Sequence, residues 1–347
     1  MGTGLNREAG EPARSQRSAA AVGETVTVLA NDIMRVYQDA RNTYWFGSWE
    51  QGLYRYDGDV LLRYTTDDGL LGNKIISIQE DAAGGLYFHT DVGISRYDGR
   101  RFTALSASGR AWELRPGDLW FTGPQNSGAV YRYDGNEVHL LELPRTPRGE
   151  QLHANSSALP YPYNPYDVYT IYRDARGHVW FGTSSLGACR YDGSSFTWIS
   201  EEELGFDVGT GFGIRSIQED RDGNYWFSNT LHRFAVMEDG RYNQLQGMDR
   251  AAGDQRFGPE AIISMLRDEE GLWMATYDQG VWRYDGEQLT HYPVEQDGAS
   301  VTLFSIVKDR KGALWLGTHA HGAYTFDGRN FVPFVSPRRD PAKTGPS

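Results

Sequence analysis

The chain has 347 residues, of which 39% are hydrophobic and 13% aromatic, with 41 glycines and one cysteine, Cys189. So many aromatics exclude a disordered polypeptide, the glycine count exceeds the usual ~7% and asks for many turns, and a lone cysteine excludes an intrachain disulfide framework or a multi-cysteine metal site. A net charge of −12 with a pI near 5.2 argues against a sequence-independent grip on nucleic-acid phosphates, so no nucleic-acid partner is expected.

Residues 1 to 24 mix charges and small residues without periodicity and are expected to form a disordered arm, with no apolar core of an export signal. Nowhere does the chain approach the ~20 consecutive apolar residues of a membrane helix, so no membrane span is expected. As written the chain reads as cytoplasmic, and as extracytoplasmic if an export signal has been lost. Thr25 to Leu29 reads as a short strand ahead of the first repeat.

From there a fixed period takes over. Tyr56-Asp57-Gly58, Tyr97-Asp98-Gly99, Tyr133-Asp134-Gly135, Tyr191-Asp192-Gly193, Glu238-Asp239-Gly240, Tyr284-Asp285-Gly286 and Phe326-Asp327-Gly328 are seven copies of one turn. Each follows an aromatic landmark: Trp45-Phe46-Gly47, Tyr87-Phe88-His89, Trp120-Phe121-Thr122, Trp180-Phe181-Gly182, Trp226-Phe227-Ser228, Trp273-Met274-Ala275 and Trp315-Leu316-Gly317. An Asp-x-x-Gly turn precedes most landmarks, at Asp81, Asp174, Asp220, Asp268 and Asp309, while the third copy keeps only Pro116-Gly117-Asp118. Within the second copy, Ile75 to Ile78, Leu86 to Thr90, Gly93 to Tyr97 and Arg101 to Leu105 are strand-like runs separated by Gly and Asp turns. Seven such units predict an all-β fold, a seven-bladed β-propeller with four-stranded antiparallel blades, spanning residues 25 to 335.

Burial on both faces of a blade explains the recurring Trp, which fills the wedge between neighbours. Cys189 falls where Tyr54 and Trp282 stand in other copies and is expected to pack. Asn330 to Phe334 reads as the fourth strand of the seventh unit, competing with Thr25 to Leu29 for the closing edge, and 336 to 347 as a disordered tail. Arg55, Arg96, Arg132, Arg190 and Arg283, each preceding a Tyr-Asp-Gly turn, are expected to form ion pairs between blades.

These residues resemble the two-component regulator propeller repeats. Gly69-Leu70, Asn73, Ile75, Ile78, Asp81 and Gly84 match the first half of that pattern, and Gly177, Trp180, Gly182-Thr183, Gly187 and Arg190-Tyr191-Asp192-Gly193 the second. The resemblance implies a sensing propeller that binds a ligand such as an oligosaccharide, or a protein partner, outside the cytoplasm. The chain shows no membrane helix, sandwich domain or kinase before Ser347, so a detached ligand-binding or protein-interaction module is the expectation. A weaker, architectural similarity to the virginiamycin B lyases implies the alternative, a metal-dependent lyase or hydrolase with a histidine-lined axial site.

In such a ring the Asp-x-x-Gly and Tyr-Asp-Gly turns share one uniform rim, and the irregular loops share the other, where binding is expected. Candidate ligand-binding residues are Trp49, Glu50, Asp91, Ser184, His232, Tyr277, Asp278, His319 and His321. Trp49 and Tyr277 suit the apolar face of a sugar ring, or packing between blades. His319-x-His321 has spacing suited to a divalent metal ion, with Glu50 and Asp278 as candidate carboxylates and His89 and His232 as converging neighbours. Plain rim histidines are the competing reading. The insertion from Arg145 to Tyr166, with His153, Tyr161, Tyr163 and Tyr166, is a candidate flap. Asp220-x-Asp222-Gly223-Asn224 resembles part of a calcium loop but serves equally as a turn.

Overall fold

The computed structural model describes residues 20–156, 163–205, 213–248 and 261–336. It is a seven-bladed β-propeller. Blade 2 shows the plan, with Ile75–Glu80 innermost, then Leu86–Thr90, Ile94–Tyr97 and Phe102–Leu105, each antiparallel to the last. Blades 4 to 7 repeat it from inner strands Val168–Arg173, Ile217–Glu219, Ile262–Arg267 and Leu303–Lys308.

Blade 1, built outward from Ile33–Gln38, carries a fifth strand, Glu24–Val26, antiparallel to Leu61–Tyr64 on its outer edge. The two terminal segments therefore do not compete for one edge. Phe331–Pro333 closes blade 7 in its own right, and Phe334 then packs on Phe46, Tyr56 and Trp315 across the junction between blades 7 and 1. Ser336 donates to the Thr27 carbonyl at 2.9 Å. Of the expected arm and tail, residues 1 to 19 and 337 to 347 lie outside the described residues, while Ala21 N donates to the Arg100 carbonyl.

Blade 3 departs from the plan. Leu119–Thr122, Ala129–Tyr133 and Val138–Glu142 are antiparallel, but the fourth strand, Ala107–Gly109, lies on the outer edge and runs parallel to Val138–Glu142. The usual innermost position is empty of strand, so Leu119–Thr122 takes the place nearest the axis. The degenerate Pro116-Gly117-Asp118 is the sequence trace of this: Asp118 pairs with the buried Arg132 at 2.7 Å instead of heading a hairpin between the first two strands.

The repeat residues earn their places by local hydrogen bonding. The hairpin aspartates cap their own turns, and most also hold the following indole: Asp174 Oδ1 accepts from Arg176 N and His178 N, and its Oδ2 accepts the Trp180 N–H. Trp45 and Trp315 donate likewise to Oδ2 of Asp39 and Asp309, while Trp273 shares Asp268 Oδ1 with the turn N–H of Glu270. Tyr87 puts its hydroxyl on Asp81 where an indole stands elsewhere. The glycine that follows the aromatic pair marks close approach: a Cβ on Gly47 or Gly317 would lie 2.6 or 2.5 Å from an atom of the next blade's inner strand, and one on Gly182 would lie 2.6 Å from the Ile214 carbonyl oxygen in the connection leading into blade 5. The threonine closes the next loop, Thr183, Thr276 and Thr318 donating to the carbonyls of Gly187, Gly280 and Gly322.

In the Tyr-Asp-Gly turns the glycine adopts a positive φ, 103° at Gly58. The tyrosine hydroxyl reaches its carbonyl, and the Asp carboxylate accepts N–H groups two and three residues on. Backbone hydrogen bonds hold the Asp98 and Asp327 carboxyls below the usual carboxylate range.

The inner edges of the blades would leave backbone groups unpaired around the axis. Side chains from one inner strand satisfy the next: Gln79 Nε2 donates to the Trp120 carbonyl, Gln218 Nε2 to the Met265 carbonyl, and Ser305 Oγ to the Met34 carbonyl. Ser216 and Ser264 hydroxyls accept Met265 N and Ile306 N.

The expected arginine ladder between blades is corrected. Arg132 pairs with Asp118, Arg283 with Glu270 and Arg55 with Asp57, all within their own blades. Arg190 does cross to blade 5, but onto the carbonyls of Met237 and Glu238. A strand-three guanidinium reaches its own turn more easily than a neighbour's carboxylate. Cys189 is buried as expected, facing Phe181 across the strands, and burial pushes its thiol up, out of the reactive range.

Candidate functional site

The irregular rim is built by the loops between second and third strands and by the connections between blades. At the junction of blades 7 and 1 they frame an open cleft of about 860 Å³, lined by Thr25, Leu29, Asn31, Trp49, Glu50 and His319 among others. Asp32 shapes its floor: one oxygen accepts Ser48 Oγ at 2.7 Å and the other the Glu50 N–H at 2.8 Å, fixing the Trp49–Glu50 corner. Lys74 Nζ lies 3.6 Å from the Trp49 ring centroid and covers one face of the indole.

His319 links this cleft to the mouth of the channel. Its ring lies 5.8 Å from Phe304, which in turn meets Tyr277 at 6.1 Å. Tyr277 is 41% exposed and sits close enough to act on the charge of Arg215, whose guanidinium lies 4.2 Å over the Tyr169 ring. Burial lowers the Arg215 pKa and raises that of Tyr169. Trp49, His319, Phe304, Tyr277, Arg215 and Tyr169 thus form a chain of neighbours running from blade 1 through blades 7, 6 and 5 to blade 4.

Phe304 and Tyr169 occupy a special backbone position. Inner strands of blades 1, 2, 4, 6 and 7 each skip one residue of pairing near their start, leaving Met34, Ile76, Tyr169, Ile263 and Phe304 unpaired with the second strand. Arg215 stands in the matching place in blade 5, next to Ser216. Such bulges re-aim a side chain at the edge of a sheet.

Of the candidate residues, the structure gathers Trp49, Glu50 and His319 into the cleft and brings Tyr277 onto the same strip. Asp278 and His321 are exposed on the flanking loops. Asp91 and His232 stand on blades 2 and 5, apart from the cleft lining. Two expectations are corrected. Ser184 is buried with its hydroxyl donating to the Asn164 carbonyl, a structural bond within the blade 4 connection. His89 is 1% exposed, wedged between Phe121 and Tyr131, and does not converge on the mouth. Its flanking strand position aims it at blade 3 rather than at the axis.

Of the expected flap, residues 157–162 lie outside the described residues; the rest contains the helix Pro147–Ser156 and is tied to the body at both ends. Tyr166 is fully buried, accepting Thr146 N at 2.8 Å, with Arg145 stacked on its ring. Tyr163 is 38% exposed, and Tyr161 lies outside the described residues. In the calcium-like segment, Asp220 caps its own turn and takes Arg233 Nη1 at 3.1 Å, so its oxygens are occupied. Among the described residues no group of three His, Cys, Asp or Glu side chains is arranged to hold a metal ion.

The aromatic and basic residues of the channel mouth went unread in the sequence, yet a signal was present. Aligning inner strands puts Ser77, Thr170, Ser216, Ser264 and Ser305 in one column, just after the bulge. Blade 1 places Arg35 there.

The resemblance to two-component regulator propellers stands. A model of that family, described as Two component regulator propeller, matches residues 162–185. In fold the chain is similar to the extracellular domain of the putative one component system BT4673 from B. thetaiotaomicron, with 21% identity and a TM-score of 0.60 over 88% of this chain and 40% of that one. It is also similar to a catalytically inactive variant of virginiamycin B lyase from Staphylococcus aureus, solved with quinupristin, at 14% identity and TM-score 0.61 over 87% of this chain and 97% of that one. The WD40 propeller of Doa1 is similar at 13% identity and TM-score 0.56, over 90% and 97% of the two chains. The chain thus spans less than half of the BT4673 domain. No curated protein matches it significantly. No helix among the described residues is long and apolar enough to cross a membrane.

Proposed function

We propose that this propeller is a recognition module, binding a small-molecule or oligosaccharide ligand along the strip from Trp49 to Tyr277. The observation that carries this is the double role of His319, which lines the cleft beside Trp49 and Glu50 and also packs on Phe304 next to Tyr277. Loops of three blades thereby make one surface, with aromatic faces for apolar ring contact and Glu50 and Asp278 as acceptors for hydroxyl groups. On the opposite rim the carboxylates are spent on their own turns, and the cleft there, between blades 1 and 2, is about half as large at 440 Å³ and lined by Arg41, Arg55 and Arg96.

The similarity to extracellular sensor domains supports an extracytoplasmic setting, in which ligand occupancy of the rim is passed to a partner. Nothing in the donor geometry favours a metal-assisted reaction at His319 and His321. The test is isothermal titration of the folded chain against a panel of neutral oligosaccharides. Trp49→Ala and Tyr277→Ala are each expected to weaken binding about tenfold or more, the loss of ~1.4 kcal/mol of contact, with the unfolding midpoint unchanged. Wild-type affinity in both variants defeats the proposal.

A further inference from the structure

We propose that Arg35 is an oxyanion-binding group set in the neck of the central channel, taking a carboxylate, sulfate or phosphate oxygen on its Nη2. It rests on the rim reading only in that a larger ligand on the rim would carry the anion.

The position is defined by the column of inner-strand residues that follow the bulges. Five blades place a small hydroxyl there, which suits packing against the next blade, and one places a guanidinium. Arg35 spans the junction. Its Nε donates to the Ile76 carbonyl of blade 2 at 2.6 Å, and its Nη1 to the carbonyls of Met34 and of Phe304 in blade 7, at 3.3 and 3.2 Å. Ile76, Met34 and Phe304 are bulge residues, so the guanidinium sits directly under the mouth, and the Phe304 that it holds is the ring shared by His319 and Tyr277.

A guanidinium has five N–H donors, and these three bonds leave both donors of Nη2. Among the described residues Nη2 has no hydrogen-bond partner, and the Arg35 side chain is only partly buried. Among the described residues no carboxylate lies within 4 Å of Arg35. Desolvation alone lowers its pKa to about 10, the mark of a charge held away from bulk water with no counter-ion to compensate. Carbonyl dipoles orient such a group but leave its formal charge unmet, and an anionic oxygen meets it with a charge-assisted bond.

Two measurements decide this. Crystals of the full chain soaked in sodium selenate are expected to show anomalous density within hydrogen-bond distance of Nη2, and an empty Nη2 overturns the proposal. In solution, sulfate and acetate, each compared with chloride at matched ionic strength, are expected to raise Tm by about 2 °C more in the wild type than in Arg35→Gln. The variant removes the general salting effect of sulfate from the comparison. Equal responses from a folded Arg35→Gln also overturn it. If the variant fails to fold, the selenate soak of the wild type decides alone, and a preference between sulfate and acetate separates the two oxyanion chemistries. Neutral-sugar binding by the Trp49 and Tyr277 variants is read separately, so failure of the rim and failure of the neck remain distinct.

Discussion

Asp174→Ala is expected to lower the free energy of unfolding by about 4 kcal/mol or more, a large fraction of the ~5–15 kcal/mol that holds a folded chain together. The carboxylate accepts from Arg176 N at 3.0 Å, His178 N at 2.8 Å, Trp180 Nε1 at 2.9 Å and the Tyr225 hydroxyl at 2.8 Å. Trp180 and Tyr225 are fully buried, so truncation leaves two donors in the interior with no acceptor, at ~1–3 kcal/mol each, in addition to the loss of the turn cap. Tyr225 belongs to blade 5, and the same change therefore loosens the contact between blades 4 and 5. Asp174→Asn keeps one acceptor oxygen for the turn but turns a donor toward the indole, and its cost should fall between those of wild type and Ala. Denaturant midpoints with unchanged m-values measure the series. A loss below 1 kcal/mol for Asp174→Ala would show that these bonds do not hold the ring.

Acid should destabilise the protein in a window set by one histidine. Burial lowers the His89 pKa from 6.5 to about 4, so the folded state keeps the imidazole neutral while the unfolded chain takes up a proton. Between those values the unfolded state binds more protons, and stability falls as pH falls. The gap corresponds to roughly 3 kcal/mol once pH reaches 4, at ~1.36 kcal/mol per unit. His89→Leu removes the titrating group and also the buried Nδ1 that has no hydrogen-bond partner. Its stability curve is expected to lie close to wild type near pH 7.5 and well above it at pH 4. Parallel curves from pH 6.5 to 4 would refute the assignment. The depressed carboxyls of Asp57, Asp98, Asp239, Asp285 and Asp327 act lower on the scale: their stabilisation is present above the unfolded carboxylate pKa and is lost as pH falls through their own lower values. Wild type and variant share that second loss.

The ring was legible because its turns are local. A Tyr-Asp-Gly hairpin or an Asp-x-x-Gly cap closes within a few residues, so spacing and residue type suffice to place it. The third blade was harder to read, since a strand lost from the axis and regained in parallel on the outer edge leaves only a missing turn behind. The arginine column misled for a related reason. Its regular spacing shows that the side chains are equivalent but not which partner each reaches, and for Arg132, Arg283 and Arg55 that partner lay in the same blade.

From the amino-acid order alone came the seven units, the rim of self-capped aspartates, the buried indoles and the packed Cys189, because the turns close within a few residues and the packed positions recur at equivalent places in successive copies. Tertiary structure decided that Trp49, His319 and Tyr277 share a strip, that Ser184 and His89 do not serve it, and that no carboxylate among the described residues lies within 4 Å of Arg35. The contact of Arg35 with Phe304 and the meeting of Trp49 with His319 join residues more than two hundred and fifty positions apart, and their distances exist only once the last blade closes against the first.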